Sequence, residues 1–401
     1  MHLHKIKGLA FILAIISINT IKAQFQVKLA DLDHGSIKVT PAIPADGVVA
    51  GGTKLTLKAI PESGFEIDAI YYTVQGGMWG TTSYEFFSPE ETITVTKDMT
   101  IGATFVDRSL VSNLKIYRDI VYAKPGKKEL KYDVFAPKGG KDLPMVVIIH
   151  GGGWSSNNED IMRALAWELA KENTYMVASI DYRWINSLDG DETPNSMHHL
   201  VEDVFGAIAH LQENASKYGA NPNKIAVTGD SAGGHLSAAV ATLSDQIGTG
   251  NYPINFKLTP TYLPEGKTAE QVGLEIRNAI KAAAPSYGVF DVNPLNQFIS
   301  QTDIAYRNGL SPIKNVPSSN SRKVPHFLTR GTKDGLISHE MVQAYVDALE
   351  TRGQKAIYLQ VEDAGHAFFD WKPDSTTRAT FDKYGVPYAA KMRAFFDELF
   401  Y

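Results

Sequence analysis

The stretch "GDSAGG", Gly229 to Gly234, sets a serine between small residues in the pattern G-x-S-x-G. A serine hydroxyl is a weak nucleophile until a base takes its proton, and the base needs a third group to orient it. Two later stretches offer those groups: "TRGTKDGLIS" contains Asp334 and "VEDAGHAFFD" contains His366. In the order Ser231, Asp334, His366 the three residue types suit nucleophilic acyl transfer. His366 would accept the Ser231 proton and return it to the leaving group, while Asp334 would fix the imidazole tautomer.

The intermediate of that chemistry carries a negative oxygen, which needs N–H donors about 2.7–3.1 Å away. "HGGGW", His150 to Trp154, gives up three consecutive side chains directly after an apolar run. Each glycine costs about 1 kcal/mol of backbone entropy where nothing requires it. Bare backbone approached closely by a ligand is such a requirement. The expected donors are the N–H groups of Gly152 and Gly153, completed by that of Ala232. Trp154 and Trp184 are candidates for the substrate pocket.

Other residues compete for these roles. Glu362, Asp363 and Asp291 are rivals of Asp334, and His235 and His210, both within predicted helices, are rivals of His366. Asp230 reads as structural. His198 and His199 are tempting as a metal pair, but neighbours on a helix point different ways. No metal and no cofactor is expected.

The elements that must position these residues are readable from periodicity. "LPMVVIIH" is a continuous apolar run, as in a parallel strand covered on both faces. From about Ser109 to the end, short apolar runs alternate with helical patterns, which predicts an α/β fold with a mainly parallel sheet. Ser231, Asp334 and His366 each fall just after a predicted strand, where ligands bind in such sheets. Residues 24–107 differ: short Val-, Thr- and Ile-rich runs separated by turn residues predict a small all-β module. The expected division is residues 1–23, 24–107 and 108–401.

Residues 1–23 place Lys5 and Lys7 before "GLAFILAIISI" and end on Ala23, the pattern of a signal peptide, with the run short for a membrane span. Export to the periplasm or the medium is expected, with no stable membrane span. The chain has no cysteine, so export brings no disulfide. A net charge of −5 without a basic block speaks against nucleic acid as a partner.

Together "HGGGW", "DYRW", "GDSAGGHL", "GTKDGLIS" and "AGHAF" resemble the α/β-hydrolase esterases of the hormone-sensitive-lipase-like group, most nearly the secreted bacterial feruloyl and acetyl-xylan esterases. The resemblance spans about residue 110 to 401. It implies a serine carboxylesterase for short-chain or aromatic acyl esters on plant polysaccharide, working through an acyl-enzyme. Residues 24–107 resemble bacterial β-repeat modules of secreted proteins, which implies an accessory part that contacts a glycan or a surface. Residues 245–280 depart from the family pattern as a longer insertion, and the sequence leaves open whether it forms part of a lid. Two rival readings remain: a serine peptidase or arylformamidase with the same three residues, and a non-catalytic hydrolase-like binding protein.

Overall fold

The structure is a computed structural model that describes residues 23–76, 80–189, 192–249 and 257–401. The expected signal peptide lies outside the described residues except for Ala23. The chain forms two compact units that divide between Phe105 and Val106.

The first unit is all β. Strands β1 (Gln24–Leu29), β3 (Val48–Ala50), β5 (Phe65–Gln75), β6 (Thr81–Phe86) and β8 (Met99–Asp107) form one sheet in the order β3-β1-β8-β5-β6. Strands β2 (Gly35–Thr40), β4 (Lys54–Pro61) and β7 (Glu90–Thr94) form a second, antiparallel sheet. Alternate residues of these strands, among them Leu55, Leu57, Ile93 and Ile101, close a small apolar core, as a period of two requires.

The second unit is built on eight strands: β9 (Leu114–Ala123), β10 (Leu130–Pro137), β11 (Leu143–Ile149), β12 (Met176–Ile180), β13 (Ala220–Asp230), β14 (Ile280–Ser286), β15 (His326–Gly331) and β16 (Ala356–Val361). Their order is β16-β15-β14-β13-β11-β12-β10-β9, with β12 to β16 and β11 all parallel and β9 and β10 antiparallel. β11 and β12 are buried along nearly their whole length, which explains their unbroken apolar sequence: helices cover both faces.

The helices are α1 (Arg108–Val111), α2 (Arg163–Ala170), α3 (Met197–Glu213), α4 (Ala232–Leu243), α5 (Ala269–Ala279), α6 (Ile304–Leu310), α7 (His339–Thr351), α8 (Ser375–Thr380) and α9 (Val386–Phe400). α2 packs with α9, while α3, α4 and α5 form a second group against the sheet. β11, β13, β15 and β16 all end toward the loops that hold the candidate residues.

The described part of residues 245–280 lies at the end of α4 away from Ser231. α5 packs against residues 244–247, just after α4, and against α3 and β13; Arg277 Nε meets Asp245 Oδ1 at 2.6 Å. Ser231 is at the other end of α4. Twelve helical residues at 1.5 Å each put these ends about 18 Å apart. Residues 259–261 are tied instead to α3: Thr259 N–H donates to Glu202 Oε1 at 2.9 Å, and the Thr261 hydroxyl donates to Asp203.

Asp203 is also where β12 is locked to α3. It is fully buried, and Arg183 reaches it from both Nε and Nη2 at 2.8 Å each. Breaking such a pair leaves an uncompensated buried charge, which costs about 3–5 kcal/mol. Arg183→Met is therefore expected to lower unfolding stability by about that much. Urea denaturation followed by fluorescence checks it.

Candidate active site

β13 runs straight into α4 through Ser231, whose φ is +50°. A non-glycine residue there is strained, and the neighbours hold it. Ser231 N–H donates to Ser286 O at 3.0 Å, and Ser231 O accepts from His235 N–H at 3.0 Å. The small residues of "GDSAGG" are a packing requirement: a β-carbon on Gly233 would fall inside the Ile149 carbonyl.

His366 follows β16, and its Nε2 is 2.9 Å from Ser231 Oγ. Its Nδ1 is 2.9 Å from Asp334 Oδ2, in the loop after β15. The other Asp334 oxygen accepts the N–H groups of Leu336 and Ile337 at 2.8 and 2.9 Å. Burial raises the Asp334 carboxyl, but the His366 hydrogen bond and these N–H groups outweigh it, so its pKa is lowered overall. An ionised Asp334 accepts only, so His366 Nδ1 is the donor and Nε2 is left to accept from Ser231.

Four of the rival residues, Asp363, Asp291, His210 and His235, are engaged elsewhere. Asp363 pairs with Lys333 at 2.6 Å. Asp291 Oδ1 accepts from Asn293 and Ser311. His210 Nδ1 meets Tyr132 Oη at 2.8 Å. His235 is buried, with Nδ1 accepting from Trp154 Nε1 at 3.2 Å and Nε2 donating to Leu310 O at 3.0 Å. That bonding demands a neutral ring, and burial lowers its pKa to about 4.

The "HGGGW" turn enters the site with φ values of +113° at Gly152 and +60° at Gly153. At Gly152 a β-carbon would collide with the Ser156 carbonyl, whereas at Gly153 it would meet nothing nearer than Phe298 at 3.8 Å. The N–H groups of Gly152 and Gly153 meet no protein acceptor among the described residues. Ala232 is the first residue of α4, where N–H groups lack an intrahelical partner.

The braces of this turn come from residues that its own sequence does not name. Gly151 N–H donates to Asp230 Oδ1 at 2.5 Å. Tyr182, from "DYRW", stacks on His150 and donates to its carbonyl at 2.8 Å. Asp230 is therefore structural, as expected, but its work is to tether the glycine turn beside the serine.

Trp154 is buried, edge-on to His235 and Phe298. Trp184 is 37% exposed, with Nε1 on Asn157 O and Lys128 over its ring.

His198 and His199 do not point apart as expected. Their ring centroids are 4.1 Å apart, and with Glu202 they place three potential ligand atoms within 4.8 Å of one another. The 100° step of the helix separates their β-carbons, and the side-chain torsions bring the rings back together. His199 Nδ1 accepts the Ser196 N–H at 3.1 Å, however, as part of a helix cap. Its proton then sits on Nε2, which makes that nitrogen a donor and not a ligand.

A family model described as BD-FAE matches residues 132–349, more than half of the chain. The chain belongs to the BD-FAE family. Esterase LipQ of Mycobacterium tuberculosis is 29% identical over 303 residues, 69% of this chain and 63% of its own length. Carboxylesterase NlhH of the same organism is 36% identical over 134 residues, 33% of this chain and 39% of its own length. The matched stretches thus span less than two thirds of these curated relatives. Among solved structures, Thermogutta terrifontis esterase 2 with butyrate bound matches with a TM-score of 0.52 at 19% identity, covering 72% of this chain and 96% of that one. A truncated carbohydrate esterase from gut microbiota matches with a TM-score of 0.51 at 21% identity, covering 71% and 96%. This BD-FAE chain has the α/β-hydrolase fold, joined to an N-terminal all-β unit.

Asp230 interacts with a second buried carboxyl, Asp370. Burial pushes Asp370 up to about 6, and burial together with the Asp370 charge pushes Asp230 well above the usual range. A raised folded pKa favours the neutral acid, so the penalty for ionising Asp370 is absent at pH values below its ordinary 3.8. It grows as pH rises toward about 6 and stays above that. Asp370→Asn, which cannot ionise, is expected to melt several degrees above the parent at pH 8, with the gap closing toward pH 4. Melting curves at the two pH values check it.

Proposed function

We propose that this BD-FAE chain is an exported serine carboxylesterase that hydrolyses short-chain or aromatic acyl esters, of the acetyl or feruloyl type, on plant polysaccharide. The observation that carries the chemistry is the hydrogen-bonded line from Ser231 Oγ through His366 to Asp334, on a strained turn beside two glycines with free N–H groups. The names of the relatives, esterases and a carbohydrate esterase, support the reaction class. The substrate class rests on the motif resemblance and on the all-β unit.

In this reading Ser231 Oγ attacks the ester carbonyl carbon as His366 Nε2 takes its proton. The carbonyl electrons move to oxygen, where the N–H groups of Gly152, Gly153 and Ala232 receive them. Asp334 stabilises the imidazolium. Collapse of the intermediate expels the alcohol, which takes the proton from His366 and leaves an acyl-serine. Water, deprotonated by His366, then releases the acid and restores Ser231. The first unit is accessory, and residues 1–23 direct export. Among the described residues no helix is long and apolar enough to cross a membrane.

Ser231→Ala is expected to cut kcat by roughly 10⁴–10⁶ while the melting temperature stays within a few degrees. A panel of para-nitrophenyl esters, methyl ferulate, acetylated xylan and peptide amides checks the substrate class. Hydrolysis of the amides ahead of the esters would favour the peptidase or arylformamidase reading. A chain starting at Val106 is expected to keep its kcat/KM on small soluble esters within about threefold, as every proposed catalytic group lies beyond that point. A folded but inactive truncation would show that the first unit is not accessory.

A further inference from the structure

Residues 287–303, between β14 and α6, form no helix or strand, yet they are densely braced. The centre of the bracing is Arg307 in α6, which is 4% exposed. Its Nη1 donates to Asn293 O at 2.5 Å and to Asn296 Oδ1 at 2.8 Å. Its Nη2 donates to Ile299 O and its Nε to Gln301 O, both at 2.8 Å. Asn186 Nδ2 donates to the carbonyl of Phe298 at 3.1 Å, from the loop after β12. Each of these bonds fixes a loop that would otherwise keep its conformational freedom.

The side chain held at the middle of this brace is Phe298. Its ring meets Trp154 edge-on, with centroids 5.1 Å apart. Chain neighbours apart, the ring is also what a Gly153 β-carbon would meet first: that position is 3.8 Å from the ring edge, with Ser155 Oγ at 4.0 Å. The glycine that offers an N–H to the substrate oxygen is therefore open on this side up to one aromatic ring. A carbonyl oxygen bound there lies about 3 Å from its donors. Groups one or two bonds from the carbonyl carbon then come within reach of that ring.

We propose that Phe298 is a specificity-determining residue that walls the site beside the oxyanion glycines and limits the bulk of the ester group seated there, and that Arg307 is the positioning residue that holds it. This rests on the esterase reading of Ser231, His366 and Asp334. Removing the ring opens space of several methylenes. One methylene in an apolar pocket is worth 10- to 200-fold in discrimination.

The test compares kcat/KM for para-nitrophenyl acetate with that for methyl ferulate and for a branched-acyl para-nitrophenyl ester, in the parent, Phe298→Ala and Phe298→Trp. For at least one of the two bulky esters, Phe298→Ala is expected to raise the bulky-to-acetyl ratio of kcat/KM at least tenfold. Phe298→Trp is expected to move the ratio the opposite way. A merely structural Phe298 would lower all the rates together and give no opposite shifts. Arg307→Lys keeps the charge but cannot span four acceptors, so it is expected to shift the ratio in the direction of Phe298→Ala. Ratios within twofold of the parent in both Phe298 variants, with melting temperatures unchanged, overturn the proposal and leave the esterase reading standing. A folded parent that hydrolyses none of the esters overturns that reading, and this proposal with it.

Discussion

Much of this structure depends on one strained residue. Ser231 sits at φ +50° where β13 turns into α4, and such a conformation costs on the order of 1–3 kcal/mol unless its surroundings leave no alternative. The surroundings are specific. The Ser231 N–H is taken by Ser286 at the end of β14, and its carbonyl by His235 inside α4. The first turn of α4 lies so close to the end of β11 that position 233 has no room for a β-carbon. A tight turn therefore fixes three things at once. It lifts the hydroxyl out of the sheet, aims the first N–H groups of α4 at the same space, and brings β11's glycine turn alongside.

Around that turn the polar groups are satisfied in ways that leave little freedom. His235 can only be neutral, because it accepts from Trp154 and donates to Leu310. Trp154 is thereby fixed in orientation directly after the glycines. Asp230 accepts the Gly151 N–H, which ties the turn to the residue next to Ser231. Donors aimed in advance at a developing charge need no rearrangement when the charge appears, and this is where such sites gain most of their rate. The cost is a set of buried carboxyls, Asp230 and Asp370, whose ionisation the fold resists.

What could be read from the sequence follows from what each signal encodes. Apolar runs and helical periods reveal which segments are buried, and from them the core strands and the main helices were evident. Ser231, Asp334 and His366 stood out because each follows a strand, and strand ends in a parallel sheet converge on one edge. Periodicity carries no information about which end of a sheet an element covers. Whether residues 245–280 cover the site was therefore open in the sequence, whereas α5 packs against residues 244–247, beyond the end of α4 away from Ser231. Helical spacing describes β-carbons and not rings, so the approach of His198 to His199 was invisible. The tether from Asp230 to Gly151 joins residues 79 positions apart, and neither residue type announces the other. Phe298 carried no signal, since an aromatic in an irregular loop looks the same whether it walls a site or fills a gap.

The division of labour between the loops has a consequence for how such a site can vary. The groups proposed to meet the reacting atoms stand just past the ends of β11, β13, β15 and β16, and all of these strands but β16, at the sheet edge, are hydrogen-bonded on both sides. The wall beside them stands on residues 287–303, which touch the sheet at their start and are held further along by the Arg307 guanidinium, by Asn186 and by Ser311, which bonds both Asp291 and the Val292 N–H. A guanidinium bound to four carbonyl-type oxygens is indifferent to the side chains between those carbonyls, because it reads backbone apart from Asn296. The residue at position 298 can therefore change size without disturbing the brace, and the brace can hold its course without disturbing Ser231. In the proposed reading selectivity is carried by position 298, while the start of the same segment is tied to the chemistry, since Tyr287 packs against His366 with ring centroids 4.9 Å apart; the wall can vary only away from that end.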